Sequence, residues 1–157
     1  MLALLAAWLL AVPLVLAATG GLRHGRAPQT AARATALPAC TIVGTAASET
    51  LVGTSGRDVI CALGGDDIVV ADRGEDVVFG DAGNDRIDGG NGDDTLYGGE
   101  GDDALAGDRG WDVLSAGPGA DALDGGAGGD HHEGGDGANT CVLESAGDTG
   151  NACGSAG

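Results

Sequence analysis

A unit of nine residues recurs without interruption from Gly44 to Val142, and this period constrains the fold more than any other feature. Eleven units begin at Gly44, Gly53, Ala62, Ala71, Gly80, Gly89, Gly98, Gly107, Ala116, Gly125 and Gly134. Position four is glycine in ten of them, Ala47 being the exception. Position six is aspartate in nine: Asp58, Asp67, Asp76, Asp85, Asp94, Asp103, Asp112, Asp121 and Asp130. Glu49 and Asn139 hold that place in the first and last units. Position eight is aliphatic in nine, from Leu51 to Leu123, with His132 and Cys141 as departures. Three columns held in register over 99 residues exceed what a glycine-rich composition produces by chance.

One aliphatic residue in nine fits neither a helix face nor a long strand. The first six positions, rich in glycine and aspartate, can turn the chain. The last three, such as Thr95-Leu96-Tyr97, form a short strand with only the middle side chain pointing inward. Stacked units would build a ladder of aliphatics inside and a ladder of carboxylates at the turns. So thin a core cannot offset chain entropy by itself.

The units at 89–97 and 98–106, GGNGDDTLY and GGEGDDALA, resemble the RTX, or haemolysin-type, calcium-binding nonapeptide repeat G-G-x-G-x-D-x-U-x in full. With its flanking cysteines and apolar start, the chain is similar to small secreted calcium-binding repeat proteins of actinobacteria. The resemblance covers about two thirds of the sequence. It implies an all-β fold, a parallel β-roll (a β-solenoid) of eleven nonapeptides with two per turn. It also implies calcium ions between units n and n+2, held by the sixth-position carboxylates and by turn carbonyls such as those of Gly83, Gly92, Gly101 and Gly110.

The carboxylate ladder then acquires a physical reason. In a parallel stack, equivalent aspartates lie roughly 4.8 Å apart. Two charges at that spacing repel by ~3–4 kcal/mol at an effective dielectric near 20. Calcium turns each such pair into a ligand set, and accepts six to eight oxygens in loose geometry where magnesium demands a tight octahedron. Oxygen-only donors also disfavour zinc and copper. Glu49, Asn139 and the units with weakened glycine pairs (62, 71 and 116) are expected to make weaker or empty sites. The fifth-position acids Asp66, Glu75, Asp93 and Asp102, and the second-position acids Asp72, Asp81 and Asp108, are expected to be solvated turn residues.

Four cysteines flank this region: Cys40, Cys61, Cys141 and Cys153. They allow three connectivities, two of which join the N-terminal to the C-terminal pair. In the roll that the resemblance implies, Cys61 and Cys141 stand roughly four turns, or ~20 Å, apart, beyond disulfide reach. The expected bonds are Cys40–Cys61 and Cys141–Cys153, a staple at each end where a solenoid needs a cap.

Residues 2–18 form an uncharged apolar run ending in small residues, which reads as a signal peptide over 1–17. An uncleaved membrane anchor is the rival reading. Residues 18–39 follow as a flexible linker bearing Arg23, Arg26 and Arg33 and no acid. The calcium-binding roll with its caps is expected over 40–153, and 154–157 as a tail. Of the 24 acidic residues, 22 lie between 44 and 142 with four arginines, a formal charge of −18 there, and lysine is absent. Nucleic acid and anionic membranes are therefore not expected partners. Cations are.

His131, His132 and Glu133 invite comparison with a zinc-protease motif, but H-E-x-x-H would need histidine where Asp136 stands. The two histidines are expected to fill strand positions in a frayed terminal unit, and no catalytic role is expected. Trp111 and Tyr97 are expected to face outward and pack locally. Positions seven and nine carry no threonine ladder, which disfavours an ice-binding surface. The expected function is that of a secreted, monomeric calcium-binding protein. The alternative is an extracellular adhesion or matrix solenoid in which calcium is only structural.

Overall fold

A computed structural model describes residues 39–153. The segments read as signal peptide, linker and tail lie outside the described residues, apart from Ala39. Among those described, thirteen strands and no helix are present. They are β1 (Ile42–Val43), β2 (Thr50–Val52), β3 (Val59–Cys61), β4 (Ile68–Val70), β5 (Val77–Ala82), β6 (Arg86–Asn91) and β7 (Thr95–Glu100). β8 (Ala104–Arg109), β9 (Val113–Ser115), β10 (Ala122–Asp124), β11 (His131–Glu133), β12 (Thr140–Val142) and β13 (Thr149–Asn151) complete the series.

Odd strands form one sheet in the order β1-β3-β5-β7-β9-β11-β13, and even strands form the other, β2 through β12. Every pairing is parallel and every partner lies 18 residues away, as in Val78↔Leu96 and Ile87↔Leu105. Two nonapeptides therefore make one turn of a β-solenoid. The strands begin at position seven because the preceding Gly/Asp turn ends there. In β5 to β8 they run on through the next unit's first three positions, doubling their length.

Position eight supplies the core. Leu51, Ile60, Val69, Val78, Ile87, Leu96, Leu105, Leu114 and Leu123 are all buried between the two sheets. Position one also faces inward, and Ala62, Ala71 and Ala116 join the core from it. The solenoid runs one strand beyond the eleven units at either end: β1 pairs with β3, and β13 with β11. Residues 143–151 form a further unit with Asp148 at position six, hidden in the sequence because Gly150 replaces its aliphatic. The terminal unit read as frayed is ordered instead, with His132 fully buried in the core column.

The disulfides are Cys40–Cys61 and Cys141–Cys153, as expected, one near each end. Tyr97 faces outward and stacks on Phe79 one turn away, with ring centroids 5.0 Å apart. Trp111 stands exposed on a turn.

Candidate calcium ladder

Each sixth-position aspartate closes a six-residue turn just before its strand, and folds its side chain inward rather than out to solvent. Asp58, Asp67, Asp76, Asp85, Asp94, Asp103, Asp112, Asp121 and Asp130 are all buried, at 5% exposure or less. Burying nine carboxylates is costly unless their oxygens are partnered, so the partners of each oxygen decide what the ladder is for.

One oxygen is always satisfied within the protein. The Oδ1 atoms of Asp76, Asp94, Asp112 and Asp130 accept the backbone N–H of Asp58, Asp76, Asp94 and Asp112, at 2.7–2.9 Å. On the other edge Asp67 accepts from Glu49, Asp85 from Asp67, Asp103 from Asp85 and Asp121 from Asp103, each at 2.8 Å. Each aspartate thus stitches its own turn to the turn before it.

The second oxygen is different. Oδ2 of Asp67, Asp76, Asp85, Asp94, Asp103, Asp112, Asp121 and Asp130 is buried and has no hydrogen-bond partner. In the units of Asp85, Asp94, Asp103, Asp112 and Asp130 this oxygen packs beside the first-position glycine: a Cβ on Gly89 would lie 2.7 Å from Asp94 Oδ2. Glycine at position one therefore makes room for the carboxylate.

Glycine at position four has a separate cause. Gly83, Gly92, Gly101 and Gly110 have φ of +132° to +143°, a region closed to other residues. Their carbonyl oxygens point along the stack, where a Cβ on Gly101, Gly110, Gly119 or Gly128, one turn on, would collide with them. In three units the Oδ1 atom borders the same space, since a Cβ on Gly74, Gly119 or Gly128 would lie 2.6–3.0 Å from Oδ1 of Asp76, Asp121 or Asp130.

The ends of both ladders are built otherwise. Asp58 Oδ2 accepts the Thr54 N–H and hydroxyl, and its Oδ1 accepts the Thr41 hydroxyl. Glu49 Oε1 accepts the Thr45 N–H. Asn139 Oδ1 accepts from Asp121 N–H while its Nδ2 donates to the Gly135 and Ala152 carbonyls. Asp148 accepts from Asp130 N–H at one oxygen and Ser145 N–H at the other. The protein satisfies its own polar atoms at all four ends and leaves eight interior oxygens bare.

Charge follows the same division. Burial pushes Asp94 and Asp103 up to about 6 and Asp112 up to about 7, opposed by the N–H bond from the preceding turn and reinforced by neighbouring aspartates. Asp76, Asp85 and Asp121 rise for the same first cause. At the ends, the Thr54 N–H holds Asp58 below its ordinary value, and the Ser145 N–H does the same for Asp148. Stacked charge is therefore disfavoured in the interior and accepted at the caps.

The fifth-position acids are exposed, and three of the four bind a neighbouring turn. Asp66 accepts the Asn84 N–H, Asn84 the Asp102 N–H, Asp102 the Ala120 N–H and Asp93 the Trp111 N–H, at 2.8–2.9 Å. These bonds run from the following turn, opposite in sense to the sixth-position ladder. Asp72, Asp81 and Asp108 at position two are exposed with φ of +77°, +70° and +68°, keeping the turn conformation that glycine gives elsewhere.

The model of the RTX calcium-binding nonapeptide repeat (4 copies) matches residues 43–78, 72–105 and 106–141, most of the solenoid. Comparison with curated proteins and with solved structures returned no match.

Proposed function

The chain belongs to the RTX calcium-binding nonapeptide repeat family, and from that premise we propose that its two aspartate ladders bind calcium and that the solenoid folds on binding it. The observation that carries this reading is the set of eight buried, unpartnered carboxylate oxygens. An unsatisfied buried polar group costs ~1–3 kcal/mol, more when charged, so eight in register call for a cation.

The donors fit a hard cation. Asp67, Asp76, Asp85, Asp94, Asp103, Asp112 and Asp121 supply carboxylate oxygen, and Gly83, Gly92, Gly101 and Gly110 supply turn carbonyls. Calcium, when bound, supplies the positive charge that lets stacked carboxylates stay ionised. Asp58, satisfied by Thr54 and Thr41, ends the ladder in this reading rather than feeding an ion.

We place the protein outside the cell. Two disulfides support an oxidising compartment, and extracellular modules bind calcium at ~0.1–1 mM. The role is binding, not catalysis, by a monomer without nucleic-acid or membrane partners, which the strongly acidic solenoid supports.

Circular dichroism under calcium titration tests the reading. The chain in chelator should be largely unfolded, and calcium should raise the β signal cooperatively. Asp94→Ala removes a carboxylate stacked between Asp76 and Asp112, and should lose far more calcium response than Asp136→Ala, whose part in the stack is a backbone carbonyl accepting from Gly119. A solenoid fully formed in chelator, or equal loss in both variants, would refute it.

A further inference from the structure

His132 is the one position-eight side chain inside the solenoid that carries nitrogen. It is fully buried, stacked between Leu114 of β9 and Gly150 of β13, and neither ring nitrogen has a hydrogen-bond partner. Two residues away, Asp130 Oδ2 is buried and unpartnered as well. Both atoms converge on the space beside Gly125: a Cβ there would lie 2.5 Å from Asp130 Oδ2 and 2.6 Å from His132 Nε2. At Gly80, Gly89, Gly98 and Gly107 the nearest atoms around that space are the unit's own aspartate and backbone atoms, with no position-eight side chain among them.

We infer that His132 closes the ladder: its Nε2–H donates to Asp130 Oδ2, and the imidazole takes the place beside that carboxylate that a calcium ion takes in the interior turns. The inference rests on the reading that the ladders bind calcium. It gives the last bare oxygen of that ladder a protein donor, as Thr54, Thr45 and Ser145 do for Asp58, Glu49 and Asp148. The ring also fills the interior at a level where Gly150 offers no side chain and the Cys141–Cys153 bridge lies next along the axis.

Two measurements on the full chain, in saturating calcium, decide it. Native mass spectrometry should count one more calcium ion per chain in His132→Leu than in the wild type, because leucine restores the aliphatic column and frees Asp130 Oδ2. An unchanged count in a folded variant overturns the inference. Long-range ¹H–¹⁵N NMR of the wild type reads the same bond directly and does not depend on the variant folding. A proton on Nε2, shifted downfield by hydrogen bonding, supports the inference, and a proton on Nδ1 overturns it. If wild-type protein binds no calcium at all, the ladder reading fails, while the NMR result still decides whether His132 and Asp130 are paired.

Discussion

A buried carboxylate with one oxygen bonded and the other bare makes the free chain sensitive to acid. Asp94, Asp103 and Asp112 have folded-state values near 6, 6 and 7, above the ~3.9 of an unfolded aspartate. Between those values the folded state binds more protons, so stability falls as pH rises through that window. Asp58 and Asp148 shift the other way, and their contribution is lost only below the ordinary aspartate range. In chelator, the β signal should therefore be stronger at pH 5 than at pH 7.5, and calcium at pH 7.5 should restore it. A β signal in chelator that is flat or rises over that interval would contradict the burial of these side chains. Glycine matters at the same scale. Gly92 has φ +141°, and a Cβ there would strike the Gly74 carbonyl, so its place admits nothing larger.

At the scale of elements, three-residue strands are too short to hold without neighbours. Each gains them from the strands 18 residues before and after, except at the ends, where β1 and β13 in one sheet and β2 and β12 in the other each pair on one side only. There the disulfides act: Cys40–Cys61 ties the segment before β1 to β3, and Cys141–Cys153 ties β12 to the chain just after β13. Loops of 21 and 12 residues are closed by these bonds, worth ~3 kcal/mol each in the chain-entropy account. Replacing Cys141 and Cys153 by serine should lower the melting temperature in calcium. Hydrogen exchange should quicken at β11 to β13 and stay slow at β5 to β8. Uniform quickening along the stack would mean the solenoid melts as one unit, without a separable cap.

Over the whole solenoid, high negative charge and one aliphatic per nine residues should make folding depend on cations, as the proposed function requires. Because each unit contacts only its neighbours, the stack should behave as a one-dimensional array, with each occupied level preparing the next. Magnesium at equal concentration should produce little of the β signal that calcium does, since it gives up its waters reluctantly and tolerates loose geometry poorly. Folding by both ions at the same midpoint would point to charge screening rather than to built sites, and sodium chloride at matched ionic strength would then fold the chain as well.

The nonapeptide columns by themselves determined the inward aliphatics and the aligned sixth-position aspartates, because a stacked coil translates sequence period directly into spatial repeat; that two units make one turn came with the resemblance to the RTX repeat. Disulfide pairing followed from the roll that the resemblance implied, since the cysteine count alone left three connectivities. Only the tertiary structure decided what each carboxylate oxygen meets. That Asp58 is satisfied by Thr54, four residues away, and Thr41, 17 residues away, while Asp94 keeps a bare oxygen depends on how side chains meet once the chain has coiled. The unit at 143–151 escaped the column pattern because Asp148 survives there without its glycines or its aliphatic. The fifth-position acids look like any solvated turn residue until the neighbouring turn presents its N–H. His132 reads as a departure from the aliphatic column in a frayed unit, and only the structure shows it fully buried with both ring nitrogens unpartnered. A linear pattern records which positions repeat, but hydrogen bonds between turns form only once the chain has coiled.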